Sequence, residues 1–122
     1  MKVLERVQSQ IGPFVQLRQD LHKHPELGLQ EFRTSSILEE KLRSWGYKVT
    51  CGLATTGVVA QLKRGNGIKR LGLRADMDAL PIQEQNTFGH RSVHSGVMHA
   101  CGHDGHSAML MAAAKHIAEE VE

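Results

Sequence analysis

The chain has 122 residues, 40% of them apolar, with 15 Lys and Arg against 13 Asp and Glu for a net charge of +2. That length makes one modest domain at most, the composition is that of a packed globule and not of a disordered segment, and so small a basic excess, with no run beyond Lys63-Arg64 or Lys69-Arg70, argues against a nucleic-acid or anionic-lipid partner. The longest apolar stretch, Ala108 to Ala114, is far short of the roughly 20 residues that span a bilayer, and the charged start from Met1 to Arg6 is unlike a signal peptide. Cys51 and Cys101, far apart in sequence, make poor material for a disulfide framework, so a reduced cytoplasm is the expected location.

In chain order, Val3, Leu4, Val7 and Ile11 recur at helical spacing, and Phe14, Leu17 and Leu21 continue the pattern. Gly12-Pro13 interrupts it, with Pro13 suited to the first turn of a second piece, so residues 2–22 are expected as two stacked helices or one kinked one. His24-Pro25-Glu26-Leu27-Gly28 reads as a turn, since the residue before a proline is pushed out of the helical region. Phe32, Ile37, Leu38, Leu42 and Trp45 predict an amphipathic helix from Glu31 to Trp45 that Gly46 stops.

Residues 47–50 and 57–62 read as strands separated by the turn-rich stretch Gly52 to Thr56. Arg64-Gly65-Asn66-Gly67 is a tight-turn signal, which predicts a hairpin between the second strand and a third, buried one over Arg70–Ala75. Residues 79–102 show no period. From Asp104 onward, Ala108, Met109, Met111, Ala112, Ala113, Ile117 and Ala118 predict a closing helix, capped by Asp104 or Ser107 and apolar enough to pack on more than one partner.

Chemistry-bearing side chains concentrate near the end. His90, His94, His99, His103 and His106 fall within 17 residues of one another, together with Cys101 and Asp104. In an extended Cys101-Gly102-His103 segment a thiolate and an imidazole would project to one side, a pair suited to zinc and its first-row neighbours and ill suited to calcium or magnesium. The plainer reading is a buried cysteine and a surface histidine in a loop. Gly102 and Gly105, which permit tight turns, and a helix start that favours a thiolate weigh toward the metal.

His99, His103 and His106 are further nitrogen donors, with His103 and His106 on one helical face; packing or loop orientation is the simpler role for His99 and His106. Asp76 and Asp78, at the carboxyl end of the expected third strand, stand where α/β sheets gather ligands, as metal ligands or as acceptors for a ligating histidine, or else simply start a turn before Pro81. Arg74 is a candidate partner for either aspartate. His22 and His24 read as cations at a helix C-terminus.

The stretch Asp20-Leu21-His22-Lys23-His24-Pro25-Glu26-Leu27-Gly28, then Glu31, Arg33-Thr34, Leu42, Trp45-Gly46-Tyr47 and Thr56-Gly57-Val58, resembles the start of hippurate hydrolase and related N-acyl-amino-acid amidohydrolases. So do Leu73 to Ile82 and Gly96 to His106, in the same order and spacing. These enzymes belong to a wider superfamily of two-metal aminoacylases and carboxypeptidases. The resemblance implies an α/β class, the N-terminal part of a zinc-peptidase-like α/β/α catalytic domain with its sheet incomplete. It implies Cys101 and His103 as the first two metal ligands and Asp78 as the aspartate that orients a ligand in the catalytic centre. The wider superfamily has a metal-binding histidine where this chain has Asp76.

It further implies two divalent ions in the complete site (zinc, manganese, nickel or cobalt), a bridging water deprotonated by a glutamate, and small N-acyl or N-aroyl amino acids as substrates. In the family that glutamate, a neighbouring glutamate ligand, two more histidine ligands and a dimerisation domain follow the closing helix. The expectation is therefore that residues 1–122 are the N-terminal portion of the catalytic domain, inactive alone. Two alternatives stand beside it: one half of a split enzyme completed by a second chain, and a non-catalytic metal-binding protein.

Overall fold

The computed structural model describes residues 2–121; Met1 and Glu122 lie outside the described residues. The elements run α1 (Lys2–Ser9), α2 (Ile11–Lys23), α3 (Phe32–Ser44), β1 (Lys48–Leu53), β2 (Gly57–Gln61) and α4 (His103–Glu120). The break between the first two helices falls at Gln10, whose amide bonds back to Val7, and Pro13 sits in the first turn of α2, where a missing N–H costs nothing.

α3 covers the predicted stretch within a residue at each end. Its N-cap, Glu31, makes no capping bond with its side chain. The exposed amides are taken instead by Glu26, whose carboxylate accepts from Arg33 N at 2.9 Å, Thr34 N at 2.6 Å and Thr34 Oγ1 at 2.7 Å. Glu31 turns away to accept from Thr56 Oγ1 at 2.5 Å, tying the helix start to the hairpin. Gly46, at φ +85°, ends the helix in the left-handed region that a side chain disfavours.

β1 and β2 pair antiparallel, Lys48 opposite Gln61 and Cys51 opposite Val58, with a register shift between Cys51 and Leu53. β1 runs three residues further into the expected turn than its composition suggests, whereas β2 starts at Gly57 as expected and ends one residue sooner. Leu17 and Leu21 of α2, Leu38 and Leu42 of α3, Val49 of β1 and Met111 and Ala114 of α4 form the core. α4 packs on α2 and on α3, and Tyr47 Oη donates to Ala114 O at 2.8 Å. Each such large side chain, fully buried, contributes about 1.5–3 kcal/mol.

The third strand expected over Arg70–Ala75, and its hairpin with β2, do not form. A ladder needs a neighbouring strand for its amides and a layer to cover its side chains. Among the described residues neither is supplied: Ile68 is 96% exposed and Leu71 82%. Order returns just beyond, where Ala79 N donates to Glu26 O at 2.8 Å and Leu80 exchanges both backbone bonds with Met98 at 2.9 and 3.0 Å. Those bridges pin Ala79 and Leu80 to the stretch between α2 and α3 and to the one that leads into α4. No helix among the described residues is long and apolar enough to cross a membrane.

Candidate metal centre

The centre is built where the pinned segment 76–80 meets the first turn of α4. Gly102, at φ +87°, turns the chain into that helix as its N-cap, so neither Asp104 nor Ser107 caps it as expected. Ser107 Oγ instead donates to Asp76 O at 3.0 Å and fastens the two segments together. The same left-handed residue breaks the extended run assumed for Cys101-Gly102-His103. His103 becomes the first helical residue, while Cys101 is exposed.

His103 and His106, one turn apart, bring their rings to 5.4 Å, as helical spacing predicts. His103 Nδ1 donates to Asp78, at 2.9 Å from Oδ1 and 3.0 Å from the backbone oxygen. Both partners only accept, which fixes the proton on Nδ1 and leaves the Nε2 lone pair free. Nε2 lies 3.6 Å from Asp76 Oδ2, and His106 Nδ1 lies 2.7 Å from Asp76 Oδ1. The His106 hydrogen bond is the main reason that the Asp76 carboxyl is held below its ordinary range, ahead of the opposing effect of burial.

One ligand atom each from Asp76, His103 and His106 lies within 4.8 Å of the other two. Two imidazole nitrogens and a carboxylate oxygen make a donor set that fits a divalent first-row ion. Of the residues singled out in the sequence, the fold brings together Asp76, Asp78, His103 and His106; Cys101 stands outside this group, and Arg74 makes no ion pair among the described residues. Cys51 and Cys101 are both free thiols.

Behind the centre lies a buried polar cluster that sequence reasoning missed. His22, read as a capping cation, is only 3% exposed: Nδ1 is 2.9 Å from Asp104 Oδ2 and Nε2 is 2.9 Å from Glu84 Oε2. Each ring nitrogen thus faces one carboxylate. Arg18 Nε also donates to Asp104 Oδ2 at 2.9 Å. Arg18 and His22 are one turn apart and adjoin Leu17 and Leu21 on the inward face of α2, a spacing that was visible in the sequence. Nothing local marked Glu84.

Burial pushes the Glu84 carboxyl up, but bonds from His22, Ser92 N at 2.6 Å and Asn86 Nδ2 at 2.9 Å outweigh it and bring the group down to about 2. His99 is 4% exposed with no partner for either ring nitrogen, and Asp104 Oδ1 is likewise unpaired. Burial lowers the His99 pKa despite the nearby Asp104 charge, so its ring is neutral at pH 7. His24, by contrast, sits where expected, with Nδ1 3.0 Å from Asp20 O at the end of α2.

A histidine held by one carboxylate, with a second histidine and a second carboxylate facing it, is an arrangement suited to a divalent metal ion. Residues 72–122 match the peptidase family M20/M25/M40. The chain is 44% identical over 120 residues to a hippurate hydrolase of Campylobacter jejuni, covering 98% of this chain and 31% of that one. It is 50% identical over 98 residues to an N-acyl-L-amino acid amidohydrolase of Geobacillus stearothermophilus, covering 80% and 26%. Its fold superposes with a TM-score of 0.86, at 35% identity, on a dinuclear metal-binding peptidase of the M20 family from Bacillus subtilis, covering 92% of this chain and 32% of that one. The chain is thus similar to the N-terminal part of M20 peptidase family members, and it spans about a third of the length of the relatives it matches.

Proposed function

We propose that the protein hydrolyses the amide bond of N-acyl or N-aroyl amino acids of the hippurate kind, with divalent metal, and that this chain supplies the first ligands of the metal centre. The observation that carries the reading is the Asp78–His103 pair, a carboxylate that sets the tautomer of an imidazole whose second nitrogen is free to ligate. In this reading His103 Nε2 and the Cys101 thiolate hold metal, and Asp78 keeps the imidazole basic and aimed. The names of the Campylobacter and Geobacillus relatives support the substrate class.

When bound, the metal supplies an acidified water and a polarised carbonyl. Asp78 does not touch the reacting atoms; it holds a proton at His103 Nδ1 throughout. Asp76, close to both histidines, sets the negative charge of the cleft floor. The general-base glutamate and the remaining ligands are assigned to a segment beyond residues 2–121, in the same polypeptide or in a second one. The setting proposed is a reduced cytoplasm, with a dissolved small molecule as partner.

The test is hydrolysis of hippurate and N-acetyl amino acids by the full-length protein after chelation and after adding back zinc, manganese, nickel or cobalt. Turnover lost with chelator and restored by metal is expected; turnover indifferent to chelator would overturn the reading. The 122-residue chain alone should bind metal without turnover, and turnover by that chain would overturn the assignment of the base to another segment.

A further inference from the structure

We infer that His22 is a positioning residue for the metal ligands, anchoring the Cys101-Gly102-His103 turn from both flanks without itself touching a ligand. The inference rests on the reading above that Cys101 and His103 hold metal, and it gives a role to a buried cluster that the hydrolytic chemistry leaves unused.

The turn itself has little to hold it. Cys101 is exposed, and Gly102 has no side chain and sits at φ +87°. The residues that bracket it are the buried ones, His99 at 4% exposure and Asp104 at 1%. Both adjoin His22, whose ring centroid is 6.4 Å from that of His99 and whose Nδ1 is 2.9 Å from Asp104 Oδ2. Arg18, one turn earlier on α2, adds a bond from Nε to the same carboxylate oxygen at 2.9 Å. α2 thereby grips the chain two residues before Cys101 and one residue after His103.

The far side of the His22 ring is fixed as well. Nε2 is 2.9 Å from Glu84 Oε2, and the rings of Phe88 and His90 each lie with centroids 5.7 Å from its own. Glu84 belongs to the stretch that the Leu80 and Met98 backbone bonds close at its base. That stretch is built around the Glu84 carboxylate, which accepts from Ser92 N at 2.6 Å, and it is tied to the end of α2 where Val93 N donates to Lys23 O at 2.9 Å. A ring with a carboxylate on each nitrogen has lost its rotational freedom, so Asp104 and the first turn of α4 inherit a fixed place. Ligands need support to within about 0.5 Å, a tolerance that an exposed turn does not meet unaided. Asp78 orients the His103 ring, and His22 places the backbone that carries it.

The experiment uses the full-length protein with cobalt(II) as the probe and compares His22→Gln with Leu42→Ala. Glutamine keeps a polar side chain but cannot set a nitrogen on each carboxylate. Leu42→Ala truncates the core on α3 and removes none of these bonds. In His22→Gln, cobalt affinity should fall about tenfold or more, the visible spectrum of bound cobalt should shift, and kcat for hippurate should drop with KM within about threefold of the parent. In Leu42→Ala the unfolding midpoint should drop while cobalt affinity and spectrum stay with the parent. Glu84→Gln should reproduce part of the His22→Gln loss, and it carries the test if His22→Gln does not fold. Parent-like cobalt affinity and spectrum in these two variants would overturn the inference and leave the reading of Cys101 and His103 standing. Losses in Leu42→Ala equal to those in His22→Gln would do the same, since they would reduce the effect to lost stability. A parent protein that binds no cobalt would overturn both.

Discussion

The His103 imidazole donates from Nδ1 to Asp78 Oδ1 at 2.9 Å, across 25 residues of sequence, and thereby turns its unprotonated Nε2 toward Asp76. A carboxylate in that place raises the basicity of a ligating imidazole and removes its rotational freedom, two effects that act on metal affinity before any substrate arrives.

Asp78→Ala is therefore expected to weaken divalent-metal binding by about 10–100-fold while the fold stays intact. Asp78→Asn, which still offers an accepting oxygen, should recover part of the loss. Calorimetric titration of both variants checks this, and equal affinities in Asp78→Ala and the parent would remove the positioning role.

His22→Ala leaves the Asp104 and Glu84 carboxylates in a buried cluster without the ring that separates and satisfies them. Breaking a buried charged network from one side costs about 3–5 kcal/mol. Urea unfolding of the variant against the parent measures it; a loss below about 1 kcal/mol would mean that the cluster relaxes or admits water.

Acid should destabilise the protein in two stages. His99 has its pKa lowered from the ordinary 6.5, so as pH falls below that value the unfolded chain takes up a proton that the folded chain refuses, and stability drops until folded His99 also protonates. Glu84, brought from 4.5 to about 2, contributes fully above about pH 4.5, and its contribution disappears as pH falls toward 2. Unfolding midpoints measured between about pH 7 and 3 should show both stages. Glu84→Gln should lose the lower one, and a parent-like slope in that variant would refute the assignment.

Gly102→Ala tests the turn into α4. A Cβ there meets no heavy atom within 4 Å, so the penalty is one of backbone conformation alone at φ +87°. About 1–2 kcal/mol of stability should be lost, together with weaker metal binding as His103 shifts. Undiminished stability would show that the turn tolerates a side chain.

Much of the local structure was legible beforehand. Apolar spacing marked α2, α3 and α4 because a 3.6-residue period and a buried face leave the same imprint wherever the helix packs. Gly46 stopped α3 as expected, and the i, i+3 spacing of His103 and His106 put their rings together. The strand expected over Arg70–Ala75 failed because its apolar run records a preference for burial, and burial needs a partner layer that no run of residues contains in itself.

What the sequence by itself determined is the set of helices, the two strands, the concentration of histidines and the resemblance that named a metallohydrolase family, all carried by near neighbours in the chain. Only the tertiary structure decided which side chains meet. Asp78 reaches His103, Asp76 joins both histidines, His22 disappears between Glu84 and Asp104, and Cys101 stays outside the cluster. The reason is that hydrogen-bond and ligand geometry act over about 3 Å in space, and pairs separated by 25 to 82 residues reach that distance only after the core has closed around Leu21 and Met111.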